Sequence, residues 1–216
     1  AVEMLDADVL AVHLNPLQEA IQPEGDLDAR NYIDSIANIV DIIDRPVMAK
    51  ETGCGISAEC AEQLVGAGVS YIDIEGAGGT SWAAVETYRS EDKYYGETFW
   101  DWGIPTAVST VEVTQSVNVP VISSGGIRSG LDAAKAIALG ADAVGMALPF
   151  LKNSINTDQI INYINKFEES LRIAMFLVGA NNIEQLKNSN LIIKGQTKQW
   201  LNDRGFKTSN YSRREK

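Results

Sequence analysis

Five short apolar segments alternate with longer amphipathic segments along this chain, and the alternation limits the folds it can adopt. The apolar segments, which predict strands, fall at 8–14, 46–51, 69–75, 119–124 and 142–147. The amphipathic segments, which have helical spacing, lie near 28–43, 57–67, 106–117 and 129–139. Because strands separated by helices form parallel sheets built from βαβ units, the sequence predicts an α/β fold.

The junctions between helix and strand favour a TIM, or (β/α)8, barrel. VGAGVSYIDIEG at 65–76 and ALGADAVGMA at 138–147 both pass from helix through a Gly-Ala pair into a strand. A barrel needs eight strands. Only five are visible here, so about three would have to precede residue 1, which is not a methionine. We therefore predict that residues 1–216 form a single, partial barrel domain.

Outside the strand region, three segments carry separate expectations. The aromatic segment 88–102 is expected to form an irregular loop over the catalytic face of the barrel. Helices are expected from about 156, at roughly 156–178 and 183–188, with a tail beyond them. The basic terminus, 207–216, is expected to be solvated and frayed.

Composition excludes several classes of function. The net charge of -11 argues against nonspecific nucleic-acid binding, which requires a basic surface. No apolar run approaches the roughly 20 residues of a membrane span, and no secretory leader is visible. Cys54 and Cys60 are too few for a disulfide framework and predict reduced thiols in a cytoplasmic protein.

The first predicted strand ends in a polar cluster, HLNPLQE at 13–19, which contains the only histidine of the chain, His13. A lone histidine at a strand end is more often a satisfied core residue. With Asn15, Gln18 and Glu19 beside it, the cluster indicates a binding site. Glu19 could bind Mg²⁺, which takes one or two carboxylates plus substrate phosphates. The other three side chains could bond a diphosphate or orient the substrate.

Two later turns predict a phosphate site. SSGGIR at 123–128 follows the fourth strand, and its glycines would let the backbone approach a phosphate at the start of the next helix. Arg128 adds positive charge. Gly145, Met146 and Ala147 end the last strand and would flank the same ligand. The loops after strands seven and eight form the usual phosphate site of a barrel.

Lys50 and the segment after the third strand add two further candidates. Lys50 ends an otherwise apolar strand, where a cation could meet an electron-rich ring such as the pyrimidine end of a flavin. Thr80, within the glycine-rich segment 76–82, could donate to a ligand, although an ordinary turn is equally expected there. Asp73 and Glu75 share one side of the third strand, and no role is predicted for Asp73.

These motifs, in this order, resemble the type 2 isopentenyl-diphosphate isomerases, a flavin-dependent family. The quoted matches are HLNPLQE with QPEGD (22–26), AKETGCGIS (49–57), IDIEGAGGTSW (72–82), FWDWGIPT (99–106) and SSGGIRSGLDAAKAIALGADAVGMALP (123–149). They span most of residues 6–150. The pairing of HLNPLQE with QPEGD is specific to this family.

The resemblance implies a (β/α)8 barrel enzyme of isoprenoid biosynthesis. Its members use reduced FMN and Mg²⁺ to interconvert isopentenyl and dimethylallyl diphosphate, with NADPH or another reductant for the flavin. A homo-oligomer, tetramer or octamer, is implied for the complete protein. The implied roles are a substrate-contacting amide for Gln18 and a Mg²⁺ ligand for Glu19. The implied FMN contacts are Lys50, Thr80, Gly125, Gly126, Ile127, Arg128, Met146, Ala147 and Leu148.

Double-bond migration needs an acid and a base with pKa values near the working pH, which an amide lacks. The hypothesis is that reduced FMN carries the proton at N5 or N1, while Gln18 positions the alkene or relays the proton. His13, the sole imidazole, is expected to bind and orient more than to transfer protons. Asn15 is expected to contact the substrate.

Two departures from the family pattern qualify these expectations. Glu75 stands where family members usually carry a small residue, and its carboxylate would repel an anionic cofactor unless it is turned away. The matched motifs also do not include the family's N-terminal half, which supplies an Arg-Lys pair for the diphosphate. An incomplete, inactive barrel is therefore one alternative. Another FMN-dependent barrel oxidoreductase is a second alternative. Of these, a 2-hydroxy-acid oxidase is rejected, because it would need a histidine near 76–82 and the sequence has none after His13.

Overall fold

The computed structural model describes residues 2–214, and its strands and helices alternate as the sequence predicts. The strands are β1 (Leu10–His13), β2 (Val47–Lys50), β3 (Tyr71–Asp73), β4 (Val121–Ser123) and β5 (Ala143–Val144). The helices are α1 (Val2–Leu5), α2 (Pro16–Ile21), α3 (Tyr32–Ile42), α4 (Ala58–Gly66), α5 (Trp82–Arg89), α6 (Tyr94–Thr98), α7 (Thr106–Ser116), α8 (Gly130–Ala138), α9 (Leu148–Asn153), α10 (Thr157–Val178), α11 (Ile183–Lys187), α12 (Gly195–Asp203) and α13 (Ser209–Ser212).

Within residues 2–214 the five strands form one sheet in the order β1-β2-β3-β4-β5, and every adjacent pair is parallel. Each strand pairs with the next strand in sequence, because the helical connection between them returns the chain to the end of the sheet where the previous strand began. This is the winding of a (β/α)8 barrel, of which five strands are present. The predicted fold class is confirmed, although each strand is shorter than its apolar segment.

One face of the sheet packs against α3, α4 and α7 and forms the main core. Val47 and Ala49 of β2, Ile72 of β3 and Val121 of β4 point toward these helices and are almost fully buried. The helices contribute apolar side chains such as Leu64, which is also inaccessible. Burial of this face fixes which side chains of each strand point the other way, since neighbours along a strand alternate.

The opposite face carries a row of polar side chains near the carboxyl ends of the strands. His13 pairs in register with Lys50, Lys50 with Asp73, and Asp73 with Ile122. Residues paired in register share a face, so an imidazole, an ammonium and a carboxylate stand side by side on neighbouring strands. The sheet register thereby joins residues that are 60 positions apart in sequence.

The expectation of an irregular loop over residues 88–102 was wrong in part. Helix α5 extends to Arg89, and α6 occupies the middle of the segment. Ser81 caps the N-terminus of α5, with its Oγ accepting from the Ala84 N–H at 3.2 Å. A serine followed by Trp-Ala-Ala-Val-Glu is a helix-start signal that the glycine-rich surroundings obscured.

The expectation of a frayed basic terminus was also wrong, as far as residue 214. Leu201 of α12 and Tyr211 of α13 are buried against Val108 and Val111 of α7. Arg214 donates to the carbonyl oxygens of neighbouring segments, including that of Ala138 at 2.9 Å. Within the basic segment itself, Thr208 and Tyr211 are buried, and this burial outweighs its basic composition. Glu215 and Lys216 lie outside the described residues.

Both cysteines are free thiols, as predicted. Burial, with the nearby Glu51 carboxylate as a second cause, raises the pKa of Cys54 to about 12. Its sulfur is therefore protonated and weakly nucleophilic at neutral pH. Across residues 2–214, no helix combines the length and the apolarity needed to cross a membrane.

The packing of α12 predicts that Leu201→Ala will lower the free energy of unfolding by about 3 kcal/mol, through lost burial and the cavity left behind. Urea unfolding of the intact protein measures this value. Leu177→Ala is the matched control, because Leu177 is 74% exposed and its truncation should cost less than about 0.5 kcal/mol. Equal losses in both variants would contradict the observed docking of α12.

Candidate functional site

Two cavities lie at the carboxyl edge of the sheet, and together they contain every candidate site residue. The first, the glycine-loop cavity, encloses about 230 Å³ and the second, the His13 cavity, about 380 Å³. The glycine-loop cavity is lined by Lys50, Asp73, Glu75, Gly79, Thr80, Ser124, Gly125, Gly126, Ile127, Arg128, Gly145, Met146, Ala147, Leu148 and Pro149. The His13 cavity is lined by Val12, His13, Leu14, Asn15, Pro16, Gln18, Glu19, Gln22, Tyr32, Ser35, Ile36 and Ile39.

The structure thus brings the predicted flavin contacts together and gathers the predicted substrate and metal residues separately. The two sets meet at the β1–β2 ladder, where His13 of one cavity pairs in register with Lys50 of the other. Two cavities with different lining residues replace the single polar site that the strand ends alone would suggest.

The glycines of the β4–α8 turn are required by a neighbouring loop. Gly125 and Gly126 have φ values of +97° and +88°, in the left-handed region. A Cβ on Gly125 would lie 2.2 Å from the carbonyl oxygen of Gly76, and one on Gly126 would lie 2.1 Å from that of Gly78. The loops after β3 and β4 therefore pack backbone to backbone, and any larger residue at these two positions would separate them.

This turn and the one after β5 present unused backbone donors to the cavity walls. Within residues 2–214, the N–H groups of Gly126, Ile127, Met146 and Ala147 donate to no protein acceptor. Clustered backbone N–H groups are the donors that bind phosphate oxygens. The arrangement fits a phosphate group placed between the two turns.

The start of helix α8 is occupied by its own side chains. Ser129 caps the helix by accepting from the Asp132 N–H at 3.2 Å. The Asp132 carboxylate in turn accepts from the Arg128 N–H at 3.2 Å. The guanidinium of Arg128 donates to the carbonyl oxygens of Gly126 and Gly78, at 2.9 and 3.0 Å. The available donors therefore belong to the turn, rather than to the helix start that the sequence suggested.

Lys50 is paired with a carboxylate on the wall of the glycine-loop cavity. Its Nζ forms an ion pair with Glu75 and also donates to the carbonyl oxygen of Glu51 at 3.0 Å. Glu75 is therefore not turned away from the cavity, but its charge is matched by Lys50. Asp73, for which the sequence offered no role, accepts from the Ser124 hydroxyl at 2.5 Å and so ties β3 to β4.

His13 is held by Thr52, which follows β2. The Thr52 Oγ1 lies 3.0 Å from His13 Nδ1, a distance that fits one hydrogen bond in either tautomer. The Thr52 carbonyl oxygen accepts from Asn15 Nδ2 at 3.4 Å. Thr52 therefore joins the segment after β2 to both His13 and Asn15.

Gln18 is fixed at both ends of its side-chain amide. Its Nε2 donates to the Glu86 Oε1 at 2.9 Å, and its Oε1 accepts from Asn15 Nδ2 at 3.4 Å. Asn15 also caps α2, since its Oδ1 accepts from the Gln18 N–H at 3.0 Å. Glu86 is 1% exposed and forms an ion pair with Arg89. These partners set the orientation of the Gln18 amide.

Glu51 is a second buried carboxylate beside the site. Its Oε2 accepts from the N–H groups of Cys54 and Gly55. Burial raises the pKa of Glu51 to about 7, and the hydrogen bonds from Cys54 and other backbone N–H groups only partly oppose this rise. Glu51 thus changes its protonation near neutral pH while it shapes the loop that carries Thr52.

Glu19 is the single acidic group of the His13 cavity. Its Oε2 accepts from Gln22 Nε2 at 3.3 Å. Among residues 2–214, no group of three or more histidine, cysteine, aspartate or glutamate side chains could hold a metal ion alone. One carboxylate still fits Mg²⁺, because this ion is often held by one protein carboxylate together with substrate phosphates and water.

Sequence reasoning did not single out Thr52, Glu51 or Glu86. Glu86 lies on helix α5, a segment for which the sequence predicted no helix. Its carboxylate was therefore not expected near Gln18. Thr52 and Glu51 lie within the quoted motif AKETGCGIS, directly after Lys50. A polar pair that continues an apolar strand is the signal that could have identified them.

The chain is similar to known proteins over nearly its whole length. Residues 13–193 match the family described as FMN-dependent dehydrogenase. This chain is 61% identical over 215 residues to the isopentenyl-diphosphate delta-isomerase of Methanothermobacter thermautotrophicus. It is 49% identical over 209 residues to the enzyme of the same name from Pyrococcus furiosus. These alignments cover 99% and 94% of this chain, but 62% and 53% of the relatives.

Solved structures of mandelate oxidase have a similar fold. The complex with benzoyl-formic acid aligns with a TM-score of 0.55 at 25% identity, over 73% of this chain and 42% of the other. A variant with the monooxide FMN adduct aligns with a TM-score of 0.61 at 22% identity, over 88% of this chain and 56% of the variant.

The fold and the two cavities define a parallel α/β protein of the TIM-barrel class, with a glycine-rich turn at the carboxyl end of its fourth strand. The match over residues 13–193 then shows the family. This chain belongs to the FMN-dependent dehydrogenases.

The raised pKa of Glu51 predicts a specific dependence of stability on pH. Between the ordinary value of 4.5 and about 7, the folded protein binds a proton that the unfolded chain releases. The free energy of unfolding should therefore fall as the pH rises through this window, by up to about 3 kcal/mol. Glu51→Gln, measured by urea unfolding at about pH 5 and about pH 8, should remove most of this fall.

The control for this prediction is Glu62→Gln, because Glu62 is exposed on α4. Its stability should follow the wild-type pH dependence. If Glu51→Gln also follows the wild-type curve, the buried carboxylate does not titrate in this window.

Proposed function

We propose that this chain is the FMN- and substrate-binding part of a type 2 isopentenyl-diphosphate isomerase, which interconverts isopentenyl and dimethylallyl diphosphate. The observation that carries the proposal is the register of His13 with Lys50, which joins a cavity suited to FMN to one suited to a diphosphate. The names of the relatives support the same reaction. The chain spans about three fifths of their length or less, so the activity is that of the complete enzyme.

The glycine-loop cavity would hold FMN. Within the Gly125–Arg128 turn, the N–H groups of Gly126 and Ile127 would bind the phosphate together with those of Met146 and Ala147, with Leu148 beside them. Lys50 and Thr80 would contact the ring system. When bound and reduced, FMN would supply the group that exchanges a proton with the substrate. NADPH is proposed as the reductant.

Gln18 would position the alkene at the boundary of the two cavities. An amide does not exchange protons readily near neutral pH, so its contribution is orientation. Asn15 and Glu86 hold the amide in one orientation, with the oxygen toward Asn15 and the nitrogen toward Glu86. A fixed amide limits the positions that the alkene can occupy beside it.

Glu19 and His13 would bind the diphosphate end of the substrate. Glu19 would hold Mg²⁺, which would neutralise part of the diphosphate charge. His13, steadied by Thr52, would donate to a diphosphate oxygen. The free thiols of Cys54 and Cys60 support a cytoplasmic location. A homo-oligomer, tetramer or octamer, is proposed for the complete protein.

An oxidase of 2-hydroxy acids is the rival within this family, and the mandelate oxidase structures make it concrete. The single histidine of the sequence, His13, lies at the end of the first strand of the sheet and is hydrogen-bonded to Thr52. The loop after β3, where that reaction would need its histidine, contains none. The isomerase proposal is therefore favoured.

The decisive experiment joins this chain to the amino-terminal segment of the Methanothermobacter relative and purifies the product with FMN. The flavin spectrum, followed by an isomerisation assay under reducing conditions with Mg²⁺, tests cofactor and reaction separately. We expect a yellow protein that interconverts the two diphosphates. A folded, colourless protein would refute the cofactor assignment, and a yellow protein that only oxidises 2-hydroxy acids would support the rival.

The contacts of Gln18 predict that Gln18→Ala in the complete enzyme will slow isomerisation at least about 100-fold, because the alkene loses its fixed partner. Bound FMN, measured by absorbance, should remain at the wild-type level. Gln63→Ala is the matched control, since Gln63 is exposed on α4. Near wild-type turnover of Gln18→Ala would rule out the proposed role.

The position of Glu19 predicts that Glu19→Gln will raise the Mg²⁺ concentration needed for half-maximal activity by about tenfold or more, since a neutral amide is a weaker ligand. Titration of activity with Mg²⁺ measures this shift, with Glu62→Gln as the control of equal charge change. An unchanged Mg²⁺ requirement would assign the metal to the substrate alone.

A further inference from the structure

The ion pair between Lys50 and Glu75 lies within the wall of the glycine-loop cavity. The side chains are 33% and 20% exposed, so both are partly withdrawn from solvent and both reach the cavity. Ion pairs in such positions are screened less than pairs on the open surface. The pair therefore contributes to the field that a ligand in the cavity would experience.

The carboxylate limits what Lys50 can offer to a ligand. An ammonium group has three donors. Within residues 2–214, one is directed to Glu75 and another to the carbonyl oxygen of Glu51, which leaves one for a partner outside the protein.

The other charged groups of this cavity have separate partners. Asp73 accepts from the Ser124 hydroxyl, and the Arg128 guanidinium donates to two loop carbonyl oxygens. Asp73 also accepts from the backbone N–H of Glu75 at 3.4 Å. In the described part of the chain, neither Asp73 nor Arg128 forms a hydrogen bond or ion pair with the side chain of Lys50 or of Glu75. A change at Glu75 should therefore act mainly on Lys50.

We propose that Glu75 is a positioning residue that lowers the reduction potential of the bound flavin by pairing with Lys50. The inference rests on the proposed FMN site. Reduction adds electron density to the flavin ring, so a nearby cation favours the reduced form, and charge near the ring is one means by which proteins tune flavins. Glu75 holds the ammonium in place and takes one of its donors, so Lys50 stabilises reduced FMN less than an unpaired lysine would.

The test is the midpoint potential of FMN in the complete enzyme, measured by anaerobic titration against a reference dye. Glu75→Gln keeps the shape of the side chain and removes its charge. We expect it to bind reduced FMN about tenfold more tightly relative to oxidised FMN, a rise of about 30 mV for a two-electron couple. Glu62→Gln, with the same loss of charge on the exposed face of α4, should leave the potential unchanged.

A second background separates an effect through Lys50 from a direct effect of the carboxylate. In Lys50→Met, Glu75→Gln should shift the potential by less than half as much, because the paired cation is gone. An equal shift in both backgrounds would overturn the proposal in favour of a direct field. No shift in Glu75→Gln while FMN is bound would overturn it outright.

Folding and cofactor loading are controlled independently. If Glu75→Gln does not fold, Glu75→Ser removes the same charge with a smaller side chain, and its potential must rise in the same direction. If both variants lose FMN while the wild type retains it, Glu75 serves cofactor retention and the proposal is wrong. Absence of FMN from the wild type would instead refute the proposed function.

Discussion

The parallel register of β1, β2 and β3 is the constraint on which the rest of the site depends. It places His13 beside Lys50 and Lys50 beside Asp73, on the face opposite the main core. A shift of one residue would exchange the two faces and bury these polar groups under the helices. The apolar positions Ala49 and Ile72, both inaccessible to solvent, fix the register because they cannot leave the helix-covered face without losing their burial.

A second constraint is the contact between the loops after β3 and β4. Gly125 and Gly126 approach Gly76 and Gly78 so closely that no side chain fits between them. This contact brings Thr80 and the turn donors to the same cavity, although they follow different strands. The glycines therefore serve loop packing first, and the glycine-loop cavity results from this packing. Loop function on a rigid sheet scaffold is the usual arrangement in barrels.

Much of the fold and of the site could be predicted from local sequence, but the partners of the site residues could not. Apolar segments and helical spacing located every strand of residues 2–214, and the polar segments at and after the strand ends gave Lys50 and Gln18 as candidates. The sequence reading predicted no helix over residues 82–89, because the glycine-rich surroundings hid the serine cap of α5. It therefore missed Glu86, which holds Gln18. It also took a basic terminus as frayed, since composition does not show that Tyr211 is buried.

The sequence by itself determined the alternation of strands and helices, the residues at the strand ends and the family of the protein. Those properties are local, because they follow from hydrophobic period, turn chemistry and motif order. Only the tertiary structure decided that the candidates occupy two separate cavities, and that Lys50 is paired with Glu75. Such pairings join residues 25 or more positions apart, so they depend on strand register and loop packing, which no local pattern records.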